Sequence, residues 1–170
     1  EAIKEHHQLR TGSFTDTVRK INEASNDIHL QIHVRNKTLV VNEQFEVSDL
    51  PPKEFAFFCL FAHNRQQGKE GFIAPRHNTS QKEISAEDMH YIGLLSEQFR
   101  YFYDQLRDEM YLEDRHVDVG RTYFESTKSM LNKYLGQALG LELAAKLAIK
   151  SDKRGQPFYL DVAPEAIQFI

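Results

Sequence analysis

The spacing of apolar and polar positions changes period several times along this chain. Residues 1–10 are polar, and Thr11-Gly12-Ser13 then breaks the chain. Ser13 offers a capping oxygen to a helix over residues 14 to about 24, with Phe14, Val18 and Ile21 on one stripe. Asn26-Asp27 signals a turn. From His29 the period becomes two: Leu30, Ile32 and Val34 alternate with Gln31, His33 and Arg35, which predicts a strand covered on one face. Arg35-Asn36-Lys37 makes a turn, Leu39-Val40-Val41 returns as the second strand of a hairpin, and Asn42-Glu43-Gln44 turns again into a third strand at residues 45–47.

The next stretch, Val47-Ser48-Asp49-Leu50-Pro51-Pro52-Lys53-Glu54-Phe55, reads as a helix entry. Ser48 or Asp49 offers a cap oxygen, the prolines suit a first turn, and Glu54 suits the positive end of the helix. The helix that follows, residues 52–64, is apolar nearly all round and is expected at the centre of the core. Gln66-Gln67-Gly68-Lys69 ends it, and residues 71–81 read as a loop. Ser85-Ala86-Glu87-Asp88 opens a long helix whose Met89, Ile92, Leu95, Phe99, Phe102, Leu106 and Met110 keep three- and four-residue spacing. After a polar loop at 113–120, a helix from Thr122 to about Leu139 is expected to bury Phe124, Leu131, Leu135 and Ala138, with Gly140 as a left-handed cap. A short turn at 141–145 follows. Residues 146–150 and 157–162 then flank the charged tip Ser151-Asp152-Lys153-Arg154-Gly155-Gln156, and residues 167–170 suit a last strand.

Strands, a trio of helices and a closing hairpin predict an α+β, winged-helix-like domain. The expected division is a helical lead-in segment at 1–28 and the winged-helix-like domain at 29–170, with one long acidic helix and a C-terminal β-hairpin wing.

Composition supports a folded chain: 41% of residues are apolar, with 12 Phe and 7 Tyr, enough for a sizeable core. A single cysteine, Cys59, excludes an internal disulfide framework and a Cys-rich zinc module. No apolar run approaches the roughly 18 residues that span a bilayer, so no membrane partner is expected and the predicted location is cytoplasmic. The start at Glu1, without a charged-then-apolar leader, predicts a piece of something longer.

Charge is divided along the chain. Residues 81–120 carry ten acids and four bases, whereas residues 121–154 carry seven bases and three acids. In a winged helix the third helix reads DNA and the wing touches phosphates. The corresponding positions here are Arg121, Lys128, Asn132 and Lys133 on the helix, beside Ser126 and Ser129, and Lys153 and Arg154 at the wing tip. Lys and Arg neutralise phosphates, and Asn and Ser reach base edges. The same residues serve equally as a contact for a protein partner, and the acidic helix before them opposes a duplex; the protein-contact reading is the one expected.

No catalytic or metal centre is predicted, and no cofactor. His29 and His33 lie on one strand face but about 13 Å apart, too far to share an ion. Cys59 and His63 stand at i, i+4 on a helix, yet Cys59 falls inside the Phe-rich segment and is expected as an inert buried thiol. Asp114-Arg115-His116 with Asp118 sets an acid, a base and a cation in one loop, a combination most simply read as solvated surface. Neither GxxxxGK[ST] nor GxSxG occurs, nor the Arg-to-His spacing of HEPN ribonucleases.

A family likeness runs through these segments. Gly12-Ser13-Phe14-Thr15-Asp16-Thr17-Val18, the strands at 30–47 and Leu50-Pro51-Pro52-Lys53-Glu54-Phe55-Ala56-Phe57-Phe58 carry it in the first half. Ser129-Met130-Leu131-Asn132-Lys133-Tyr134-Leu135 and residues 155–170, with Pro164-Glu165-Ala166-Ile167, carry it in the second. In that order they resemble the C-terminal region of CRISPR-associated ring nucleases, the CARF-containing accessory proteins of type III CRISPR systems. The resemblance implies a dimer whose N-terminal CARF domain binds cyclic oligoadenylate and cleaves it in antiviral defence, using the ribose 2′-hydroxyl. That domain is not in this chain, so no ligand or catalytic residue of it maps onto these positions, and any nuclease activity belongs to the full-length protein. A looser similarity is to the effector domain of OmpR-type response regulators, which implies a duplex-DNA partner. A third reading makes this segment itself a nuclease with His and Lys as acid–base groups.

Overall fold

A computed structural model of the chain describes residues 27–110 and 117–170. The expected helix at 14–24 and the Asp114-Arg115-His116 loop lie outside the described residues.

The period-two segment forms the sheet. Strands β1 (Leu30–His33), β2 (Thr38–Val41) and β3 (Phe45–Val47) make an antiparallel meander. A fourth strand, β4 (Ile167–Phe169), adds parallel to β1, so the order is β3-β2-β1-β4. Register pairs Leu30 with Val41 and Ile167, and Ile32 with Leu39, which places these apolar residues on one face; all five are buried. Asn42 and Glu43 both take positive φ (55° and 57°), and Gln44 N–H donates to the Val41 carbonyl at 3.1 Å. Two successive left-handed residues make the primed turn that matches strand twist. The Asn42 side chain holds it by accepting from His29 N–H at 2.8 Å.

The β1–β2 turn carries a buried lysine. Lys37 sits at φ 55° and sends its amine inward, donating to the Ser48 carbonyl at 3.2 Å and to the Leu50 carbonyl. Burial lowers its pKa below the usual lysine value, and nearby Asp49 offsets part of that. The lysine thereby fixes the connection from β3 into the first helix. That helix, α1 (Pro52–Gln66), begins after Pro51 with no side-chain cap, so the expected Ser48 or Asp49 cap is not made. In place of a cap, a proline at N1 has no N–H to satisfy.

Phe55, Ala56, Phe57, Phe58, Cys59, Leu60, Phe61 and Ala62 are all buried, which makes α1 the central core helix its composition predicts. The other elements surround it: α2 (Ala86–Met110), α3 (Arg121–Leu139), the short α4 (Leu141–Leu147) and the sheet share one continuous core. Aromatic rings pack through its middle, Phe57–Phe61 tilted at 5.1 Å, and Phe57–Phe124 and Phe61–Phe72 edge to face at 5.3 Å between ring centroids. On α2 the stripe Ile92, Leu95, Phe99, Phe102 and Leu106 is buried, and Ser85 accepts from Asp88 N–H at 3.0 Å as its cap. Met89, near the start of α2, departs from that stripe and is 43% exposed. On α3, Phe124, Leu131 and Leu135 are buried but Ala138 is exposed. Gly140 ends α3 at φ 86° and ψ 168°, outside the left-handed helical region expected of it and in one open essentially to glycine alone.

The C-terminal hairpin is narrower than its pattern predicts. Lys146 belongs to α4, and the arm after it closes through one antiparallel bridge, Lys150 with Tyr159 (3.2 and 2.8 Å). Its second attachment is to the loop before α2, where Phe72 and Phe158 exchange both backbone hydrogen bonds (2.9 and 2.8 Å). Gly71 makes this approach possible: a Cβ there would lie 1.9 Å from the Phe158 carbonyl oxygen, and its φ is +105°. The molecule is α+β, with a strand layer, three main helices and a hairpin arm, a layout compatible with a small winged-helix-like fold.

The same loop caps α3 from outside. Asn78 accepts from Thr122 N–H at 2.9 Å, and its amide donates to Thr122 Oγ1 at 3.0 Å. Within α3, Thr127 is fully buried and its hydroxyl has no hydrogen-bond partner among the described residues. Two substitutions therefore diverge in denaturant unfolding. Asn78→Ala removes a helix cap and is expected to cost about 1 kcal/mol. Thr127→Val keeps the shape and deletes an unsatisfied hydroxyl, so stability is expected to stay level or rise by up to about 1 kcal/mol. A loss in the valine variant as large as in the alanine variant would contradict this account of Thr127.

Candidate functional site

The six residues that the winged-helix pattern singles out do not form one surface. Two of them are consumed within the fold. Asn132 turns toward the arm and clamps one residue of it: its amide donates to the Ile149 carbonyl at 3.1 Å, and its Oδ1 accepts from Ile149 N–H at 3.0 Å. Lys128 points the same way. Its amine is 2.9 Å from Glu125 Oε1 and 4.1 Å from the centre of the Phe158 ring, with the side chain only 17% exposed. A cation held by a carboxylate and an aromatic face is not presented to a phosphate.

The other four are exposed: Arg121 and Lys133 on α3, Lys153 and Arg154 at the tip of the arm. Arg121 and Lys133 stand twelve positions apart on the helix, about 18 Å along the axis. Of the six, two well-separated helix cations and a charged tip thus stay outward, with Asn132 and Lys128 withdrawn.

The arm is gripped from α1 as well. Arg65 donates from Nε to the Val162 carbonyl at 2.9 Å, lies 4.0 Å from the Asp161 carboxylate and sits 5.9 Å over the Tyr159 ring. Lys150 approaches the same Asp161 at 3.7 Å, and the Tyr159 hydroxyl donates to Asp152 at 2.7 Å, which raises the Tyr159 pKa. Several charges that look like a solvated patch in the sequence are fasteners of the arm.

Cys59 is wholly buried and burial pushes its thiol pKa well above the ordinary value, so it is an unreactive core residue. His63, one turn on, leaves the core and stands edge-on to Phe102 and Phe169, with centroids 5.8 and 6.0 Å away. Phe102 and Phe169 stack on each other at 5.8 Å. Among the described residues no group of three or more His, Cys, Asp and Glu is placed to hold a metal ion, and no helix is long and apolar enough to cross a membrane.

His63 lies on the floor of a surface groove that the sequence reading missed. One stretch, about 380 Å³, lies between α1 and α2 and is lined by Leu60, His63, Leu94, Glu97 and Tyr101. The next, about 560 Å³, shares His63, Tyr101 and Phe102 with it and continues to Arg35, Gln105 and Phe169. Leu94 is 46% exposed and Tyr101 66% exposed. The signal in the sequence is a pair of apolar residues seven apart on α2, off the core stripe; it is faint because the core stripe of the same helix dominates the pattern.

Two measurements check these assignments. Asn132→Ala unpairs both backbone groups of Ile149 and is expected to cost about 1–3 kcal/mol and to release the Ile149 amide to hydrogen exchange. Lys133→Ala should stay within about 0.5 kcal/mol of the wild type. The second concerns pH. Burial, and then the Lys69 charge, hold the His63 imidazole below its ordinary value of 6.5. Between those two values the unfolded chain binds more protons than the folded one, so this contribution is present above about pH 6.5 and is lost as pH falls below it. Melting temperature is expected to drop between pH 7.5 and 5.5, and to drop less in His63→Gln; an equal drop would remove His63 as the cause.

No family model, no curated protein and no solved structure matches this chain.

Proposed function

We propose that this chain is an assembly and regulatory region of a CRISPR-associated CARF protein, acting through protein contacts rather than by reading DNA. The observation that carries the non-DNA part is the Asn132–Ile149 clamp: the asparagine of α3 suited to a base edge is spent on the arm, and Lys128 is spent beside it. Support for the CARF setting comes from the ordered likeness of the segments at 30–58, 129–135 and 155–170, which run in the chain order of that region. In this reading the cyclic oligoadenylate is bound by the CARF domain, the chain contributes no catalytic residue, and its task is to hold copies or neighbouring domains in a fixed relation in the cytoplasm.

One observation favours a second reading, a winged-helix DNA-binding regulator of OmpR type: Arg121, Lys133, Lys153 and Arg154 are all exposed. Fluorescence anisotropy with random duplex DNA separates the two. The assembly reading expects no binding even at low salt. Tight binding that weakens steeply as salt rises, and that falls in a Lys133→Ala/Arg154→Ala double variant, would establish the regulator.

A further inference from the structure

The groove between α1 and α2 is polarised. At the end between the two helices its one carboxylate or basic lining residue apart from the histidine is Glu97, together with Leu60 and Leu94. At the other end it is Arg35, together with Val34 and Phe169. Among the described residues neither Arg35 nor Glu97 has an ion-pair partner. The middle is aromatic, with Tyr101 standing out at 66% exposure above Phe102 and His63. Burial, and then the Lys69 charge, keep that histidine less basic than usual. The glutamines Gln67, Gln98 and Gln105 supply a polar rim. An exposed aromatic anchor over an apolar floor with a polar rim is the anatomy of a protein interface.

Opposite charges at its two ends select the occupant. A two-fold axis crossing the middle of a groove at right angles to its length lays each end on the opposite end of the partner. Glu97 of one copy then meets Arg35 of the other, twice, and the two Tyr101 rings meet near the axis. We propose that two copies of this chain pair across this groove, antiparallel along α2, with Tyr101 as the central anchor and two Glu97–Arg35 pairs at the ends. The pairing names the partner and the surface for the assembly reading, and rests on it.

Sedimentation velocity on the whole 170-residue chain across a concentration series tests the pairing. A concentration-dependent dimer is expected. Tyr101→Ser is expected to weaken it about thirtyfold or more, as loss of a central anchor does. Arg35→Glu and Glu97→Arg should each weaken it, and the double variant should regain most of the loss, because the swapped charges again face their opposites. That rescue cannot arise from misfolding, and Leu94→Ser provides a second apolar probe. A monomer at every concentration, or a dimer that none of these changes affects, would overturn the pairing, as would a double variant no better than the singles. A dimer unaffected by these changes in a chain that ignores DNA would leave the assembly reading standing with another surface; salt-sensitive DNA binding would remove that reading itself.

Discussion

A helix that is apolar on every side cannot rest on a surface, and the whole molecule is arranged around that constraint. Eight consecutive residues of α1, Phe55 to Ala62, are buried, and each phenylalanine among them gains on the order of 2 kcal/mol by leaving water. Enclosing α1 takes cover from several directions. Helices α2 and α3 flank it, the sheet joins the same core, and Phe72 and Phe158 bring the loop and the arm against the aromatic cluster. The entry to α1 is set before the helix begins, by Lys37 reaching from the β1–β2 turn to the carbonyls of Ser48 and Leu50.

Once the arm is required to close that core, its backbone must be satisfied without a strand ladder. Only one bridge joins its two sides, so other groups are met from outside the arm: the Phe72 backbone on Phe158, Asn132 on Ile149 and Arg65 on Val162. Asn132 of α3, which a winged-helix DNA reader would present outward, therefore turns to the arm, while Arg121 and Lys133 stay exposed. The physical cause is the high cost of leaving a buried amide or carbonyl unpaired, a demand nearer than any partner. This redirection is why a basic segment in the sequence does not become a basic face.

What remains outward is the groove, where α1 runs out at its C-terminal end and its cover becomes incomplete. Leu94 and Tyr101 belong to the side of α2 that no other described element covers, and His63 sits between the rings of Phe102 and Phe169 at the floor. The proposed pairing of two copies would complete the enclosure that the fold applies everywhere else to α1. It would also fit the assembly role proposed above.

The sequence by itself determined the elements and their order: a period of two for β1 and β2, an unbroken apolar run for α1, and three- and four-residue spacing for α2 and α3. These are local properties, set by which side chains a backbone period places on one face. It also disclosed the chemistry of Cys59, since a lone thiol among phenylalanines has nowhere else to go. Only the tertiary structure decided the parallel joining of β4 to β1, the external cap from Asn78, the single-bridge arm and the inward turn of Asn132 and Lys128. Each depends on residues far apart in the chain meeting at hydrogen-bonding distance, which no period encodes. The groove belongs with these, because whether an apolar pair such as Leu94 and Tyr101 is core or surface depends on what else in the fold reaches it.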